Sequence, residues 1–247
     1  MDPLRDRDRD MTDEEWDVYS AVKSLTMVSA ARIVANTRAI DYILKAQIPG
    51  DIVECGVWRG GSSMAMALRL VQQGDTSRKL WMYDTYSGMT DATAADVSYS
   101  GLSGAALLDT AKHYKGPDRG RALGYASLDE VEANMRTTGY PANQIKFVKG
   151  PVEETLPSQI PPQISLLRID TDWYNSTKHE LLHLYPRLSV GGILIIDDYG
   201  HWDGARRAVD EYFAHAPVFL NRIDYTGRLV IKPYEKVAER LSCPNPS

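Results

Sequence analysis

The hydrophobic pattern of the chain centres on two short apolar runs, residues 164–169 and 193–196. Each run is almost continuous and rich in branched side chains, which is typical of parallel strands that are buried on both faces. Between them, apolar residues recur at helical spacing after Ser176, and Gly191 and Gly192 are expected to end that helix. The pattern predicts a strand–helix–strand unit whose right-handed crossover brings both strand ends to one edge of a sheet.

The remaining elements continue this alternation of strands and helices. Helical periodicity covers residues 12–45, ahead of the first strand. Further strands are predicted at residues 52–53, 80–83 and 145–148, and a C-terminal hairpin at residues 218–223 and 228–231. Five strand–helix repeats followed by an antiparallel pair predict an α/β fold: a Rossmann-like, seven-stranded, mostly parallel sheet with helices on both faces.

Chain length and breaks in the pattern indicate the domain organisation. The 247 residues fit one α/β domain with an appendage at most. We expect a disordered N-terminus at residues 1–11, helices at 12–48 that form a cap or an oligomer contact, the main domain at 49–235 and a tail at 236–247. Periodicity fails in residues 86–126, and an insertion of this length is expected to be an active-site lid, with a disordered insertion as the alternative.

Composition and charge exclude several classes of function. The net charge is −5 and the chain shows no basic stripe, which argues against nucleic-acid and membrane-surface partners. No run of about 18 apolar residues exists, so no segment is expected to span a membrane. The two cysteines, Cys55 and Cys243, imply no disulfide framework, and we expect both to be reduced in a cytoplasmic protein.

A pair of acids follows each of the two central strands. Asp170 and Asp172 close the first run, and Asp197 and Asp198 close the second. Like charges a few ångströms apart raise one another's pKa or require a cation. A hard divalent ion with oxygen ligands satisfies this requirement, Mg²⁺ before Ca²⁺. The alternative is that Asp172 caps the helix and Asp198 caps a turn, without a metal.

The turn after the first predicted strand reads DIVECGVWRGGSS, with the spacing acid-x-Gly-x-x-x-Gly-Gly. This is not the GxGxxG pattern of dinucleotide folds. The acid, Glu54, would repel a phosphate but suits the sulfonium and amino group of S-adenosylmethionine (SAM). The second strand ends in Asp84, which is placed to accept hydrogen bonds from a ribose diol. The alternatives are a purely structural glycine turn and a turn aspartate before Ser87.

Four segments together resemble the macrocin/mycinamicin O-methyltransferase family, to which the novobiocin sugar methyltransferase is closely related. The segments are DIVECGVWRGGSS, LWMYDTYSGM, LLRIDTDWYNSTKHELLHLYPRL and GGILIIDDYGHWDGARRAVDEYF, and they run through residues 51–213. The resemblance implies a class I SAM-dependent methyltransferase fold, dependence on Mg²⁺ and methylation of a sugar hydroxyl. It also implies homodimers or larger homo-oligomers, often built with N-terminal helices.

The resemblance implies roles for the residues of the two glycine-containing turns and for the acids. The residues expected in the SAM pocket are Glu54, Gly56, Arg59, Ser62, Asp84 and Ser87. Among them, Asp84 is expected to bind the ribose. Asp170, Asp197 and Asp198 match the metal carboxylates. The family carries Asp-Gly-Asp at the first strand end, whereas this chain has Asp170-Thr171-Asp172. Which of these two aspartates binds metal and which accepts a proton stays open.

These assignments lead to a chemical hypothesis. Mg²⁺ would lower the pKa of the acceptor hydroxyl, and Asp172 or His201 would remove its proton before the oxygen attacks the methyl group of SAM. Trp173 or Tyr174 would pack on a face of the sugar, or both would be core aromatics. The expected acceptor is a small molecule: a free saccharide, an oligosaccharide such as a methylmannoside, or a glycosylated natural product.

Two other classes of function compete with this one. A nucleotide-sugar oxidoreductase would need a dinucleotide glycine pattern, which the chain lacks. A non-catalytic ligand-binding domain would have no need of the four strand-end acids together with Glu54 and Asp84.

Overall fold

A seven-stranded sheet forms the centre of the molecule in the computed structural model, which describes residues 9–234. The strands are β1 (Asp51–Cys55), β2 (Leu80–Asp84), β3 (Ile145–Lys149), β4 (Ile164–Ile169), β5 (Leu188–Ile196), β6 (Asn221–Arg222) and β7 (Arg228–Ile231). Their order is β3-β2-β1-β4-β5-β7-β6; β1 to β5 are parallel, and β7 pairs antiparallel with β5 and β6. The predicted sheet is therefore confirmed. Most of the expected terminal tails, with Cys243, lies outside the described residues.

Helices cover both faces of the sheet, as predicted. They are α1 (Asp13–Val22), α2 (Ala30–Lys45), α3 (Gly61–Gln72), α4 (Gly104–Lys112), α5 (Gly116–Ala122), α6 (Leu128–Arg136), α7 (Val152–Thr155), α8 (Tyr174–Leu184) and α9 (Asp203–Phe213). One core joins α1, α2, α3 and α6 to one face, and a second core joins α7, α8 and α9 to the other. Alternate strand residues enter the two cores: Ile52 lies in the first and Val53 in the second.

The two N-terminal helices belong to the main core. Thr12 caps α1 through a capping box: its hydroxyl accepts from the Glu15 N–H, and its own N–H donates to the Glu15 carboxylate. Ser29 caps α2 by accepting from the Arg32 N–H. Ile33 and Ile40 of α2 are completely buried against the sheet core. This packing places the connection between α1 and α2 beside the carboxyl ends of the strands.

The central strand–helix–strand unit differs in detail from the prediction. Helix α8 begins at Tyr174, and Ser176 lies within its first turn, donating to the backbone carbonyl of Trp173 at 3.1 Å. The helix ends before a turn that contains Pro186, so Gly191 and Gly192 do not end it but lie inside β5. A Cβ on Gly192 would lie 2.8 Å from the Ser189 carbonyl oxygen, which explains a glycine in this strand.

The insertion at residues 86–126 is more ordered than its sequence pattern indicated. It contains the short helices α4 and α5, and Ser103 caps α4 by accepting from the Ala106 N–H. A narrow turn ahead of α4 is fixed to the loop after β5, because the Tyr99 N–H donates to the His201 carbonyl at 2.8 Å. Within residues 9–234, no helix combines the length and the apolar composition that a bilayer crossing needs.

Candidate active site

A cavity of about 770 Å³ opens at the carboxyl ends of the parallel strands. The strand order reverses on either side of β1, and open α/β sheets bind ligands at such a switch point. The walls come from the turns after β1 and β2, the loops after β3, β4 and β5, the connection between α1 and α2, and the insertion. Its size suits a nucleoside cofactor together with a small acceptor.

The four strand-end aspartates meet on one side of this cavity. One carboxylate oxygen from each of Asp170, Asp197 and Asp198 lies within 4.8 Å of the other two. Asp172 adjoins them, since its backbone N–H donates to Oδ2 of Asp198 at 3.1 Å. Asp172 has a left-handed backbone, with φ of 64°, which aspartate tolerates better than most residues. Trp202 Nε1 donates to its Oδ1 at 2.6 Å and fixes the carboxylate.

Two arginines that sequence reasoning did not identify lie among these acids. Arg168 of β4 is completely buried, and its guanidinium donates to Glu54 at 2.8 Å, to Asp170 at 2.7 Å and to Asp197. Arg32 reaches in from α2 and donates to Asp197 as well. A charged residue inside the otherwise apolar run ISLLRI was the signal for Arg168. Nothing in the helical pattern of α2 distinguished Arg32.

The cluster carries more negative than positive charge. Five carboxylates, those of Glu54 and the four aspartates, face two guanidinium groups, which leaves three uncompensated charges if every acid is ionised. Burial, followed by neighbouring charges, raises the pKa of Asp172 and of Asp197 to about 7. Burial and the Asp172 carboxylate raise the pKa of Asp198 well above the usual value of an aspartate. Carboxylates that are buried close together, with raised pKa values, bind either protons or a cation.

Glu54 and its glycine turn are tied to the acidic cluster. Glu54 is buried; its Oε1 accepts from Arg168, its Oε2 accepts from Ser63, and burial raises its pKa to about 7. Gly56 has φ of 80°, and a Cβ there would lie 1.8 Å from the Asp170 carbonyl oxygen, so only glycine fits. Ser62 is buried in α3 and also lines the cavity.

Asp84 joins the turns after β1 and β2. Its Oδ2 accepts from the Val57 N–H at 2.7 Å and the Trp58 N–H at 3.0 Å, and its Oδ1 accepts from the Tyr86 N–H at 2.7 Å. Burial raises the pKa of Asp84, although these backbone hydrogen bonds oppose the rise. Asp84 lines the cavity. The Thr85 hydroxyl lies 3.4 Å from Oδ1 but has a shorter contact, 2.6 Å, with the Gly88 carbonyl to which it donates, so the second lone pair of Oδ1 is open to a ligand.

The structure does not bring two of the expected cofactor residues to the cavity. Arg59 turns to the outer surface, where Nε donates to Glu130 at 2.5 Å and Nη1 donates to the Ser24 carbonyl at 3.1 Å. Ser87 is exposed, and its N–H donates to the Thr85 hydroxyl at 3.2 Å. Neither side chain belongs to the cavity wall.

One of the two expected aromatic residues lies at the cavity. Trp173 lines the cavity wall, but it is 2% exposed and packs edge to face on Trp202, so it also belongs to a small core. Tyr174 donates to Glu211 at 2.6 Å, outside the cavity wall.

Three further rings form a cluster: His201 and Tyr225 line the cavity, and Tyr99, which is not part of the cavity wall, packs edge to face on both. Their centroids lie 5.3 Å, 6.0 Å and 6.1 Å apart, and the two tyrosines are 65% and 52% exposed. His201 Nδ1 lies 3.2 Å from the Tyr225 hydroxyl, and burial together with Arg32 lowers the pKa of His201. A neutral imidazole in the cavity wall is able to accept a proton. The three rings come from distant segments of the chain, which is why no local pattern revealed them.

Comparison with known proteins agrees with this geometry. The profile of the macrocin-O-methyltransferase (TylF) family matches residues 4–231. A Streptomyces olivaceus protein, 8-demethyl-8-(2,3-dimethoxy-alpha-L-rhamnosyl)-tetracenomycin-C 4'-O-methyltransferase, is 34% identical over 204 residues, 82% of this chain and 73% of the relative. Mycinamicin III 3''-O-methyltransferase from Micromonospora griseorubida is 31% identical over 187 residues, 76% of this chain and 69% of the relative.

A solved structure supports the same assignment. The O-methyltransferase NovP superposes with a TM-score of 0.72 at 32% sequence identity, covering 85% of this chain and 82% of the other. The family profile, the two relatives and NovP all point to O-methyltransferases. The chain therefore belongs to the macrocin-O-methyltransferase family and is an O-methyltransferase with the fold of the class I SAM-dependent enzymes.

Proposed function

We propose that the protein transfers the methyl group of SAM to a hydroxyl of a sugar and that it depends on Mg²⁺ for this reaction. The observation that carries the proposal is the meeting of Asp170, Asp197 and Asp198 beside the cavity of a SAM-dependent methyltransferase fold. Carboxylate oxygens are the ligands that Mg²⁺ prefers. The uncompensated charge of the cluster supports a divalent ion over a purely structural role.

The SAM pocket is assigned to the turns after β1 and β2. SAM supplies a methyl group on a positively charged sulfur, and this charge suits a cavity wall that includes Glu54 and Asp84. Gly56 lets the β1 turn lie against the Asp170 backbone, where no Cβ fits, and Gly56 and Ser62 both line the cavity. The available lone pair of Asp84 Oδ1 would accept from a ribose hydroxyl.

The metal site is assigned to Asp170, Asp197 and Asp198. When bound there, Mg²⁺ would lower the pKa of an acceptor hydroxyl. The arginines around the site hold the carboxylates in place: Arg168 bonds both Asp170 and Asp197. Asp198 is oriented by the backbone N–H of Asp172. These contacts fix the acids before any ligand arrives, which is the preorganisation that a metal site needs.

Asp172 is assigned as the base that takes the hydroxyl proton. Its carboxylate is held by Trp202, adjoins the three metal-binding acids and has a pKa near 7, which suits proton transfer at neutral pH. His201 lies further out, against Tyr225, and is assigned to the acceptor side of the site. In-line alignment of the two reactants is the main contribution expected of the protein, worth about 7–11 kcal/mol.

The acceptor is assigned to the mouth of the cavity. A pyranose presents an apolar face of C–H groups, and the rings of Tyr99, His201 and Tyr225 offer an aromatic surface of matching character. The names of the two relatives describe methylation of a rhamnosyl tetracenomycin and of mycinamicin III. We therefore infer a glycoside, or a free saccharide, as the acceptor.

The insertion and the assembly state complete the proposal. Met89, Tyr114 and Arg121 of the insertion line the cavity, so we assign residues 86–126 as a lid over the acceptor. We infer a homo-oligomer, as in the family that the sequence resembles, and light scattering of the purified protein tests it. A cytoplasmic location is inferred from the free, buried thiol of Cys55.

A methyl-transfer screen tests the function. The protein is incubated with SAM, Mg²⁺ and a panel of free sugars, oligosaccharides and glycosylated natural products, and products are identified by a mass increase of one methylene. The expected result is methylation of at least one sugar, lost in EDTA and lost in Asp197→Ala while SAM binding by calorimetry is retained. Full activity in EDTA would refute the role of the metal, whereas methylation confined to non-sugar hydroxyls would refute the acceptor class.

A further inference from the structure

Among the described residues of α1 and α2, Arg32 is the only cation that forms an ion pair with the acidic cluster. Its side chain is buried to 9% exposure, and its Nη1 contacts Oδ2 of Asp197. Asp197 is one of the three acids whose oxygens converge. Arg168 occupies Oδ1 of the same carboxylate, so Oδ2 is the oxygen for which the Arg32 guanidinium and a divalent ion from solution would compete.

A second acid holds Arg32 in this position. Arg32 Nε donates to Oδ2 of Asp224 at 3.0 Å, and the same oxygen accepts from the Ser29 hydroxyl at 2.6 Å. Oδ1 of Asp224 accepts from the backbone N–H groups of Thr226 and Gly227, at 3.0 Å and 2.8 Å. The anchor is therefore rigid and joins α2 to the loop between β6 and β7. Arg32 would keep this anchor even if its contact with Asp197 were broken.

We propose that Arg32 is a resident counter-cation of the acidic cluster, which competes with the divalent ion for Asp197 and so weakens metal binding. The inference rests on the magnesium site proposed above. The inference goes beyond that site because Arg32 belongs to an N-terminal helix and not to the strand-end motif. It assigns to this residue a role in setting the affinity for the metal.

The sign of the effect follows from charge. A guanidinium on the carboxylate occupies lone pairs that the metal needs, and its positive charge repels a divalent ion placed beside it. Even at the dielectric constant of water, a +2 and a +1 charge about 6 Å apart repel by about 1.4 kcal/mol. This energy corresponds to a factor of about ten in the affinity for the metal. Without metal, the same guanidinium offsets part of the repulsion among the acids. The contact therefore lets the apo site stay assembled while keeping metal binding reversible.

This role differs from a merely structural one in the direction of its effect. If Arg32 only supported the fold, its loss would disorder the metal site and weaken metal binding. If Arg32 competes with the metal, its loss tightens binding. Arg38, on the same helix, is a matched control, because it forms ion pairs with Glu15 at 2.7 Å and Asp10 at 3.0 Å, away from the cluster.

The experiment is calorimetric titration of MgCl₂ alone into metal-free wild type, Arg32→Met, Arg32→Lys and Arg38→Met. We expect Arg32→Met to lower the Kd for Mg²⁺ about tenfold, Arg32→Lys to stay within about threefold of wild type because the charge is kept, and Arg38→Met to leave the Kd unchanged. Thermal melts are expected to show a lower Tm for Arg32→Met in EDTA and a larger rise on adding Mg²⁺ than in wild type.

The outcomes separate this inference from the proposal on which it rests. An unchanged or higher Kd in folded Arg32→Met overturns the competition, even though wild type binds Mg²⁺. Wild type that binds no Mg²⁺ contradicts the metal site itself. Arg32→Gln is the second neutral variant if Arg32→Met does not fold, and the same results support or overturn the inference for it.

Discussion

The indole N–H of Trp202 donates a 2.6 Å hydrogen bond to Oδ1 of Asp172. Trp202 lies just after β5 and Asp172 just after β4, so the bond joins the two loops that carry the acids. A hydrogen bond to an ionised carboxylate stabilises the charged form and restrains its rotation. The proton acceptor that we assign is thus held by a neighbour whose own ring is buried.

Trp202→Phe is expected to lower kcat about tenfold, because Asp172 loses its restraint while the ring packing is largely kept. Loss of the bond also raises the pKa of Asp172, so the acid limb of the pH–activity profile moves to higher pH. Steady-state kinetics with the acceptor found in the screen measure both kcat and the pH–activity profile. Trp81→Phe is the control, since Trp81 donates to Asp51 at 2.9 Å at the opposite end of the sheet. Equal losses of kcat in the two variants would contradict the assignment.

Asp84→Asn is expected to weaken binding of S-adenosylhomocysteine at least about tenfold. An asparagine has one acceptor oxygen, which the Val57 and Trp58 N–H groups would occupy, so its NH₂ group replaces the Oδ1 that we assign to the ribose hydroxyl. The lost hydrogen bond to a charged acceptor is worth about 1.5–3 kcal/mol. Asp51→Asn is the matched control: Asp51 accepts from the Lys79 N–H at 3.0 Å and from Trp81, far from the cavity. Calorimetric titration of S-adenosylhomocysteine into both variants measures the affinity. Unchanged affinity in Asp84→Asn would show that the carboxylate has no part in the cofactor site.

Stability without metal is expected to fall as pH rises from about 5 to about 8. Burial raises the pKa of Glu54, Asp172 and Asp197 to about 7, well above the values of exposed carboxyls. Between about pH 4 and pH 7 the folded state therefore binds more protons than the unfolded chain. The contribution of these groups to the free energy of unfolding is fully present below the pKa values that they have in the unfolded chain. It is lost as pH rises through the pKa values that they have in the folded protein. Thermal melts in EDTA at constant ionic strength measure the fall.

Mg²⁺ is expected to reverse this loss, with a Tm rise at pH 8 that exceeds the rise at pH 5.5. A change of about 1 kcal/mol corresponds to about 2–4 °C in a chain of this size. Asp198→Asn removes one buried charge, so it is expected to flatten the pH dependence in EDTA and to abolish the response to Mg²⁺. A Tm that does not vary with pH in wild-type protein would show that the acids are not held together as the structure places them.

Tyr99→Ala is expected to raise KM for the acceptor about tenfold, with kcat and KM for SAM within about twofold of wild type. The Tyr99 ring packs edge to face on His201 and Tyr225, which line the cavity, so its loss weakens the aromatic surface that we assign to the sugar but removes no reacting group. Tyr42→Ala, a partly exposed tyrosine of α2 outside the cavity wall, is the control. A normal KM in Tyr99→Ala would exclude the aromatic cluster as the acceptor surface.

Strands and strand-end acids could be predicted because their signals are local. A continuous branched run such as residues 164–169 is typical of a buried strand, and parallel connectivity then brings Asp170 and Asp197 to one edge. Gly56 was expected in a tight turn from its local pattern, but the contact that excludes a side chain there, with the Asp170 carbonyl, joins distant segments and was not predicted.

The parts that could not be predicted depend on contacts between distant segments. Arg32 meets Asp197 across 165 positions of sequence, and the ring cluster joins the insertion, the β5 loop and the β6–β7 loop. Helices α4 and α5 are too short to show a clear helical period. Arg59 was expected at the cofactor because its turn binds ligands, but a side chain in a turn can face outward, and here it bonds Glu130.

The most direct measurement is an anomalous difference map from a crystal of the protein soaked with Mn²⁺, as a stand-in for Mg²⁺, and S-adenosylhomocysteine. We predict one strong peak bonded to carboxylate oxygens of Asp170, Asp197 and Asp198, with the cofactor sulfur facing it across the cavity. A map with the cofactor bound and no anomalous density among these three aspartates would contradict the account.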